Sequence, residues 1–195
     1  MCIRDRVRRG FEFHHQAWLK QTATGASEIA RWILAELGLS DPAVESRLAE
    51  EFAHAALAGQ VKALDGARAT LAQLAARGIP RALICDTGFS PGKVVRQLLD
   101  RHDLLELLPV QIFSNEVGVP KPCPEIFEAA LQGLGVEADS VIHVGDLKRT
   151  DVAGARAQGI ASVRIRADHD DRSELPEADR IVDNHAELQA ILEVL

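Results

Sequence analysis

The alternation of short apolar runs with helical patterns after Gly59 constrains this fold more than any other feature. The runs are rich in β-branched residues and are bounded by Gly, Pro, Asp or Ser, as buried strands are. Repeated strand and helix units favour a parallel sheet with right-handed crossovers. We therefore predict a doubly wound α/β domain over residues 61–195. The predicted strands are 82–85, 110–114, 141–144, 162–165 and 181–182, and the predicted helices are 67–76, 124–134, 152–158, 185–195 and one that follows Ser90.

The preceding stretch, residues 11–60, has only helical patterns. Apolar residues recur every four positions from Ile29 to Leu37, and Asp41 before a proline is a typical start of a further helix. A third helix is predicted over residues 13–21. Together these segments predict a small all-helical unit in front of the α/β domain.

Residues 1–10 have neither periodicity, and three of the first six are charged. We expect an irregular, non-native start there.

Trp18 and Trp32 are predicted to be packing residues of the helical unit. His14 and His15 are adjacent, and adjacent helix positions point apart, so a surface location is favoured over a metal site.

Composition excludes several classes of partner. The formal net charge of −7 disfavours nucleic-acid binding, and no apolar run reaches the roughly 18 residues that span a bilayer. No signal peptide is recognisable, so we expect a cytoplasmic protein with no membrane partner. Cys2, Cys85 and Cys123 are odd in number and lack zinc-site spacing, which is typical of a reducing compartment.

The stretch 141–151 (VIHVGDLKRTD) places two carboxylates after a predicted strand. Ligands of open α/β sheets bind at the carboxyl ends of strands, so Asp146 and Asp151 are expected to face one crevice. Carboxylates held close together repel unless a hard cation such as Mg²⁺ lies beside them. The alternative is an ordinary turn at Gly145, with Thr150 or Asp151 capping the next helix.

Two earlier loops contain residues suited to the same site. Asp86, Thr87 and Gly88 follow the first predicted strand, where a hydroxyl and free N–H groups can hold a phosphoryl oxygen. Lys121 lies between two prolines in the loop 117–124, and these restrict its backbone. Its ammonium could screen carboxylates and phosphate at a fixed place. The alternatives are a plain turn at residues 86–88 and a solvated side chain for Lys121.

The order of these three loops resembles motifs two, three and four of the haloacid dehalogenase (HAD) superfamily. The resemblance covers about residues 59–195, a HAD-like Rossmannoid core, and the preceding helices are similar to that superfamily's helical cap. It implies a Mg²⁺-dependent hydrolase, most simply a phosphatase of a small phosphomonoester. Thr87 would bind phosphate together with Gly88, Lys121 would balance charge, and Asp146 and Asp151 would form the metal site.

The second motif can be aligned with this chain in more than one way. The family usually has Ser or Thr followed by Asn, whereas this chain has Cys85, Asp86 and Thr87 in succession. Any of the three could occupy the matching position.

The family's first motif, Asp-x-Asp at the end of the first core strand, has no counterpart in this sequence. Asp5 is followed by Arg6 and Val7, and no apolar strand precedes it. In the family the first Asp of that motif is the nucleophile and the second is the general acid and base. We therefore expect a truncated, inactive fragment that lacks the first core strand, with the strands beside the gap left unpaired or forced together.

Two other functions stay open. One is a haloacid dehalogenase-type hydrolase, which needs no metal, and the other is a non-catalytic relative that binds a phosphorylated ligand or a partner. Trp18, Lys20 and Arg31 are candidates for the cap residues that determine substrate specificity. The polar run 168–171 (DHDD) is interpreted as a solvated acidic loop. The oligomeric state is not predicted.

Overall fold

The computed structural model describes residues 3–192, and the first part of this range is helical. α1 begins ten residues before the predicted start at residue 13, so residues 3–10 are helical rather than irregular. Met1 and Cys2 lie outside the described residues. The helices are α1 (Ile3–Leu19), α2 (Ala26–Glu36) and α3 (Pro42–Ala58).

Contacts with α2 explain the early start of α1. Gly10 packs so closely that a Cβ there would lie 2.8 Å from Ile33 Cδ1. Arg9 Nη1 is 2.8 Å from Glu36 Oε2, and Arg6 donates to the Glu36 carbonyl oxygen. Tertiary contacts of this kind stabilise a helix whose own sequence pattern is weak.

Side-chain caps set the starts of the next two helices. Asp41 Oδ1 accepts hydrogen bonds from Ala43 N and Val44 N at 2.9 and 3.3 Å, as the Asp-Pro pair predicts. At the start of α2 the Glu28 side chain provides the cap, because Gly25 N donates to Glu28 Oε2 at 2.9 Å. The division into a cap over residues 11–60 and a core over residues 61–195 stays a prediction.

The rest of the described chain alternates helix and strand, which confirms the α/β class. The helices are α4 (Ala67–Ala76), α5 (Gly92–Arg101), α6 (Ser114–Val117), α7 (Pro124–Leu134), α8 (Ala153–Ala157) and α9 (His185–Leu192). The strands are β1 (Ala82–Cys85), β2 (Val110–Phe113), β3 (Ile142–Gly145), β4 (Ala161–Ile165) and β5 (Arg180–Val182). Residues 193–195 of the predicted last helix lie outside the described part.

The strands form two parallel sheets rather than one. β1 pairs with β2, aligning Ala82 with Val110, and β3, β4 and β5 form a second sheet in that order. Within residues 3–192 no strand pairs with both β1 and β3. One edge of β1 and one edge of β3 are therefore unpaired within these residues. Unpaired edges are one of the two outcomes expected where a core strand is absent.

Helix α7 packs against both halves of the divided sheet. Ile126 and Phe127 are fully buried in a cluster that includes Ile84 of β1 and Ala155 of α8. The Phe127 ring lies so close to Gly154 that a Cβ there would be 2.3 Å from it. Burying such a side chain contributes roughly 1.5–3 kcal/mol. The apolar layer thus holds the two sheets in one unit.

Across residues 3–192 no helix combines the length and the hydrophobicity needed to cross a membrane.

Candidate active site

Three loops meet at the carboxyl ends of β1 and β3, the two strands that flank the gap. Lys121 N donates to Asp86 Oδ1 at 2.8 Å, which joins the second loop to the first. Lys121 Nζ lies 2.7 Å from Asp151 Oδ1, which joins the second loop to the third. Parallel strands bring their carboxyl ends to one edge of a sheet, so loops far apart in sequence become neighbours. The structure thus brings Lys121, Asp86 and Asp151 together.

Asp151 is almost fully buried and is surrounded by donors. Its Oδ1 also lies 3.0 Å from His143 Nε2, and its Oδ2 accepts from Leu147 N at 3.1 Å. Burial alone would raise the pKa of Asp151, but the contact with His143 and the charge of Lys121 hold that pKa well below its ordinary value. Asp151 is therefore a fixed carboxylate in an ion pair with Lys121.

Lys121 has the complementary environment. Burial opposes the ammonium charge, but Asp151 and then Asp86 more than offset it and raise the pKa of Lys121. Only 13% of the side chain is exposed. The site therefore contains a charged lysine whose position is set by its carboxylate partner rather than by solvent.

Asp146 differs from Asp151 although both follow the same strand. Among residues 3–192 it forms no ion pair. Burial, and then the charge of Asp151, raise the pKa of Asp146 above its ordinary value. Asp146 is thus a carboxylate without an ion-pair partner among these residues, although the charge of Lys121 partly offsets the rise in its pKa.

Residues 145–152, the site loop, owe their shape to a glycine and a π-helical turn. A Cβ at Gly145 would lie 2.2 Å from Asp151 Cγ, so only glycine lets the carboxylate lie against the strand end. The turn Lys148–Val152 precedes α8, so helical structure begins four residues before the predicted start at residue 152. Single π-helical turns are frequent at functional sites.

The Asp86-Thr87-Gly88 turn directs its side chains to different places. Thr87 is 6% exposed, and its Oγ1 lies 3.0 Å from Asn115 Oδ1 and from Ser114 Oγ. Asp86 instead faces Lys121. A Cβ at Gly88 would lie 2.8 Å from His14 Nε2, so this glycine leaves room for α1. The role of Thr87 and Gly88 in phosphate binding stays a prediction.

Comparison with known proteins decides the family. A family model described as haloacid dehalogenase-like hydrolase matches residues 8–159. The chain belongs to the HAD-like hydrolases. Among the relatives of this HAD-like chain is a phosphoglycolate phosphatase of Rhodospirillum rubrum, 40% identical over 126 residues, which are 63% of this chain and 50% of the relative. A phosphoserine phosphatase of Thermus thermophilus is 37% identical over 114 residues, 57% of this chain and 43% of the relative.

Solved structures show the same HAD-like fold. A 2-haloacid dehalogenase from Pseudomonas syringae superposes with a TM-score of 0.68 at 22% identity, over 100% of this chain and 82% of the dehalogenase. The chain spans half or less of the length of the two phosphatases named above.

Two residues at this HAD-like site, Arg149 and His143, were not predicted to belong to it. Trp18, expected to be a packing residue and also named as a possible substrate-facing cap residue, donates from Nε1 to Asp86 Oδ2 at 3.0 Å. Arg149 lies over the Trp18 ring, with Cζ 3.7 Å from the ring centroid. His143 contacts Asp151, and its only sequence signal is a polar residue within an apolar strand. Arg31, in contrast, pairs with Glu45 inside the helical unit.

The acidic run after β4 has structural contacts of its own. Asp170 accepts from Arg164 Nη1 at 3.0 Å, and Asp171 accepts from Lys148 N at 2.7 Å. Neighbouring carboxylates of this run thus contact different partners. In the described part of the chain, no three or more His, Cys, Asp or Glu side chains are grouped to hold a metal ion.

A cavity of about 740 Å³ lies beside the site rather than in it. It is lined by Thr24, His54, Lys93 and Asn115 among others, and its wall does not include the two acids of the site loop. Asn115 also contacts Thr87, so this space adjoins the far side of the first loop.

Proposed function

We propose that this chain provides most of the active site of a Mg²⁺-dependent phosphatase that acts on a small phosphomonoester. The observation that carries the proposal is the buried Lys121–Asp151 pair at 2.7 Å beside Asp146, which has no cation partner. Family membership and the two phosphatase relatives support the same reaction class.

The residues present fit a magnesium ion. Mg²⁺ is usually bound through one or two carboxylates, with water and substrate phosphate as its remaining ligands. Asp146 is a carboxylate with no ion-pair partner among residues 3–192, so it is suited to bind such an ion. Asp151 is already engaged by Lys121, His143 and Leu147 N, so we assign it mainly to positioning Lys121. When bound, Mg²⁺ would neutralise charge on the phosphoryl oxygens.

Lys121 and the Asp86-Thr87-Gly88 turn would hold the phosphoryl group. The Lys121 ammonium is charged, buried and fixed in place, so it can stabilise phosphoryl oxygens without reorganising. The backbone N–H groups of a turn at the end of a strand are suited to the same anion. Asp86 would then set the relative position of the two loops, because it accepts from Lys121 N.

The nucleophile would come from a strand that pairs with both β1 and β3. The family's Asp-x-Asp motif lies at the end of such a strand, and the unpaired edges of β1 and β3 leave a place for it. Its first Asp would attack phosphorus and form an aspartyl-phosphate, while the second protonates the departing alkoxide. Water would then hydrolyse the aspartyl-phosphate, releasing phosphate and restoring the carboxylate. The 195-residue chain alone would not turn over.

The test is hydrolysis of p-nitrophenyl phosphate, with Mg²⁺ or with EDTA, by this chain and by a version extended by a strand that carries Asp-x-Asp. We expect activity in the extended version with Mg²⁺ only. Asp146→Asn should lower it at least about a hundredfold. Asp139→Asn, an exposed acid on the turn before β3, serves as the matched control and should stay within about twofold.

Other outcomes would redirect the proposal. Activity of the 195-residue chain that Asp146→Asn abolishes would show that a carboxylate within it is the nucleophile. Undiminished activity in EDTA would contradict the magnesium assignment. Phosphate binding without turnover in either version would favour a binding protein over an enzyme.

A further inference from the structure

Arg149 lies beside the site and is held there by contact with another part of the fold. It belongs to the site loop, between the two acids, and its guanidinium lies 3.7 Å from the centroid of the Trp18 ring of α1. Trp18 is itself fixed, because its Nε1 donates to Asp86 Oδ2 at 3.0 Å. Stacking of Arg on Trp keeps the guanidinium plane in a set orientation while its N–H groups stay free to donate.

One of those N–H groups has no acceptor. Arg149 Nη2 is buried without a hydrogen-bond partner, and no carboxylate among residues 3–192 lies within ion-pair distance of the guanidinium. The neighbouring cations differ: Lys148 contacts Glu177, and Arg164 contacts Asp170 and Glu177. Burial of Arg149 lowers its pKa, although the charge of Asp86 opposes this. A buried, unsatisfied N–H group is costly and calls for an acceptor.

Asp86 separates this guanidinium from the lysine of the site. Its Oδ1 accepts from the backbone N of Lys121 and its Oδ2 accepts from Trp18 Nε1, so Lys121 and the Trp18–Arg149 pair are joined through the two oxygens of one carboxylate. A phosphoryl group at Lys121 would leave the organic part of its ester to extend past Asp86 towards Arg149. Lys121 already has Asp151 as its partner, whereas Arg149 has no ion-pair partner within residues 3–192.

We propose that Arg149, held on Trp18, binds a second anionic group of the substrate, distinct from the phosphoryl group at Lys121. The substrate class is then a small phosphomonoester that also bears a carboxylate or a second phosphoryl group. Both match the planar fork of the guanidinium. This inference rests on the proposed function, because it assumes that the phosphoryl group occupies the Lys121 side.

The test is equilibrium binding of three related probes to the 195-residue chain with Mg²⁺. Methylphosphonate has one anionic group, phosphonoacetate adds a carboxylate, and methylenediphosphonate adds a second phosphonate. Fluorescence of Trp18 in a Trp32→Phe background reports binding at the stacked pair. Trp32 stacks on Phe13 within the helical unit, so its replacement leaves the site unchanged.

We expect at least one dianionic probe to bind about tenfold more tightly than methylphosphonate. Arg149→Gln should remove this preference and leave methylphosphonate affinity within about twofold, and Arg149→Lys should restore part of it. Arg31→Gln removes a guanidinium of the helical unit that is paired with Glu45, and should keep the full preference. Whichever probe is preferred identifies the second group as carboxylate or phosphoryl.

Three results would overturn the inference. Equal binding of all probes by the unaltered chain would show that there is no second subsite, and the proposed function would still stand. A uniform loss of affinity in Arg149→Gln, with a lower melting temperature, would show that Arg149 only clamps α1 to the site loop. Failure of every probe to bind would reject the proposed phosphate site and the subsite with it.

Discussion

The site loop, residues 145–152, and the acidic loop, residues 166–179, contain the same kinds of charged residue but use them differently. In the acidic loop, Glu177 accepts two hydrogen bonds from Arg164, at 2.7 and 3.0 Å, and also pairs with Lys148. Asp170 and Asp171 likewise have partners. These side chains tie the acidic loop to β4 and to the site loop.

The site loop leaves charges of both signs without a partner. Among residues 3–192, Asp146 has no ion-pair partner, and Arg149 has no acceptor for one buried N–H group. Asp151 pairs with Lys121, which comes from a different loop, and Lys148 pairs with Glu177 of the acidic loop. Paired charges hold a structure together, whereas unpaired charges in a semi-buried place are typical of a site that awaits a ligand. The comparison therefore separates structural from functional residues.

Removing Lys121 should have the largest effect on stability. Lys121→Ala leaves the buried Asp151 carboxylate without its cation, at a cost of about 3–5 kcal/mol in the free energy of unfolding. Urea unfolding measures this, with Lys93→Ala, an exposed lysine of α5, as a control near zero. A loss below about 1 kcal/mol would show that His143 and Leu147 N suffice to stabilise Asp151.

Removing Arg164 should have a smaller effect, although its side chain is more buried than that of Lys121. Arg164→Gln breaks the two hydrogen bonds to Glu177, but Glu177 is about one-third exposed and water can replace them. We expect a loss of about 1–2 kcal/mol by urea unfolding. Arg172→Gln, whose side chain is 87% exposed, should change stability little. If Arg164→Gln costs as much as Lys121→Ala, the contrast between the two loops fails.

Replacing Asp146 should change stability in the opposite direction. Its pKa is raised in the folded protein, so the charged form is disfavoured by folding, and Asp146→Asn relieves that repulsion. We expect an increase of about 0.5 kcal/mol or less at neutral pH without Mg²⁺. Calorimetry of the unaltered chain and of Asp146→Asn checks this. A clear destabilisation would assign Asp146 a structural role.

The pH dependence of the acidic loop tests the same comparison. The hydrogen bonds from Arg164 lower the pKa of Glu177 to about 2, whereas the unfolded chain has a pKa of about 4.3. Because the folded pKa is depressed, the stabilisation is present above pH ~4.3 and disappears as the pH falls towards 2. The stability difference between the unaltered chain and Glu177→Gln should shrink over that range. A difference independent of pH would contradict the assignment.

Local signals in the sequence predict several elements to the residue. The predicted bounds of α4, β1 and α7 match the structure, and Gly or Pro residues mark the ends of the two helices. Pro124 opens α7, and Gly135, with φ +67°, follows its last residue. The start of α1 at Ile3 has no such marker and depends on contacts with α2, so the local pattern does not reveal it.

The sequence by itself determined the parallel α/β class, the family, and the three loops that contain Asp86, Lys121 and the site-loop acids. Motif spacing encodes these, since each lies next to a strand that hydrophobicity reveals. Only the tertiary structure decided that Asp151 pairs with Lys121 while Asp146 stays without a cation, and that Trp18 and Arg149 reach the site. Those facts depend on burial and on distances between residues far apart in the chain, which no local pattern records.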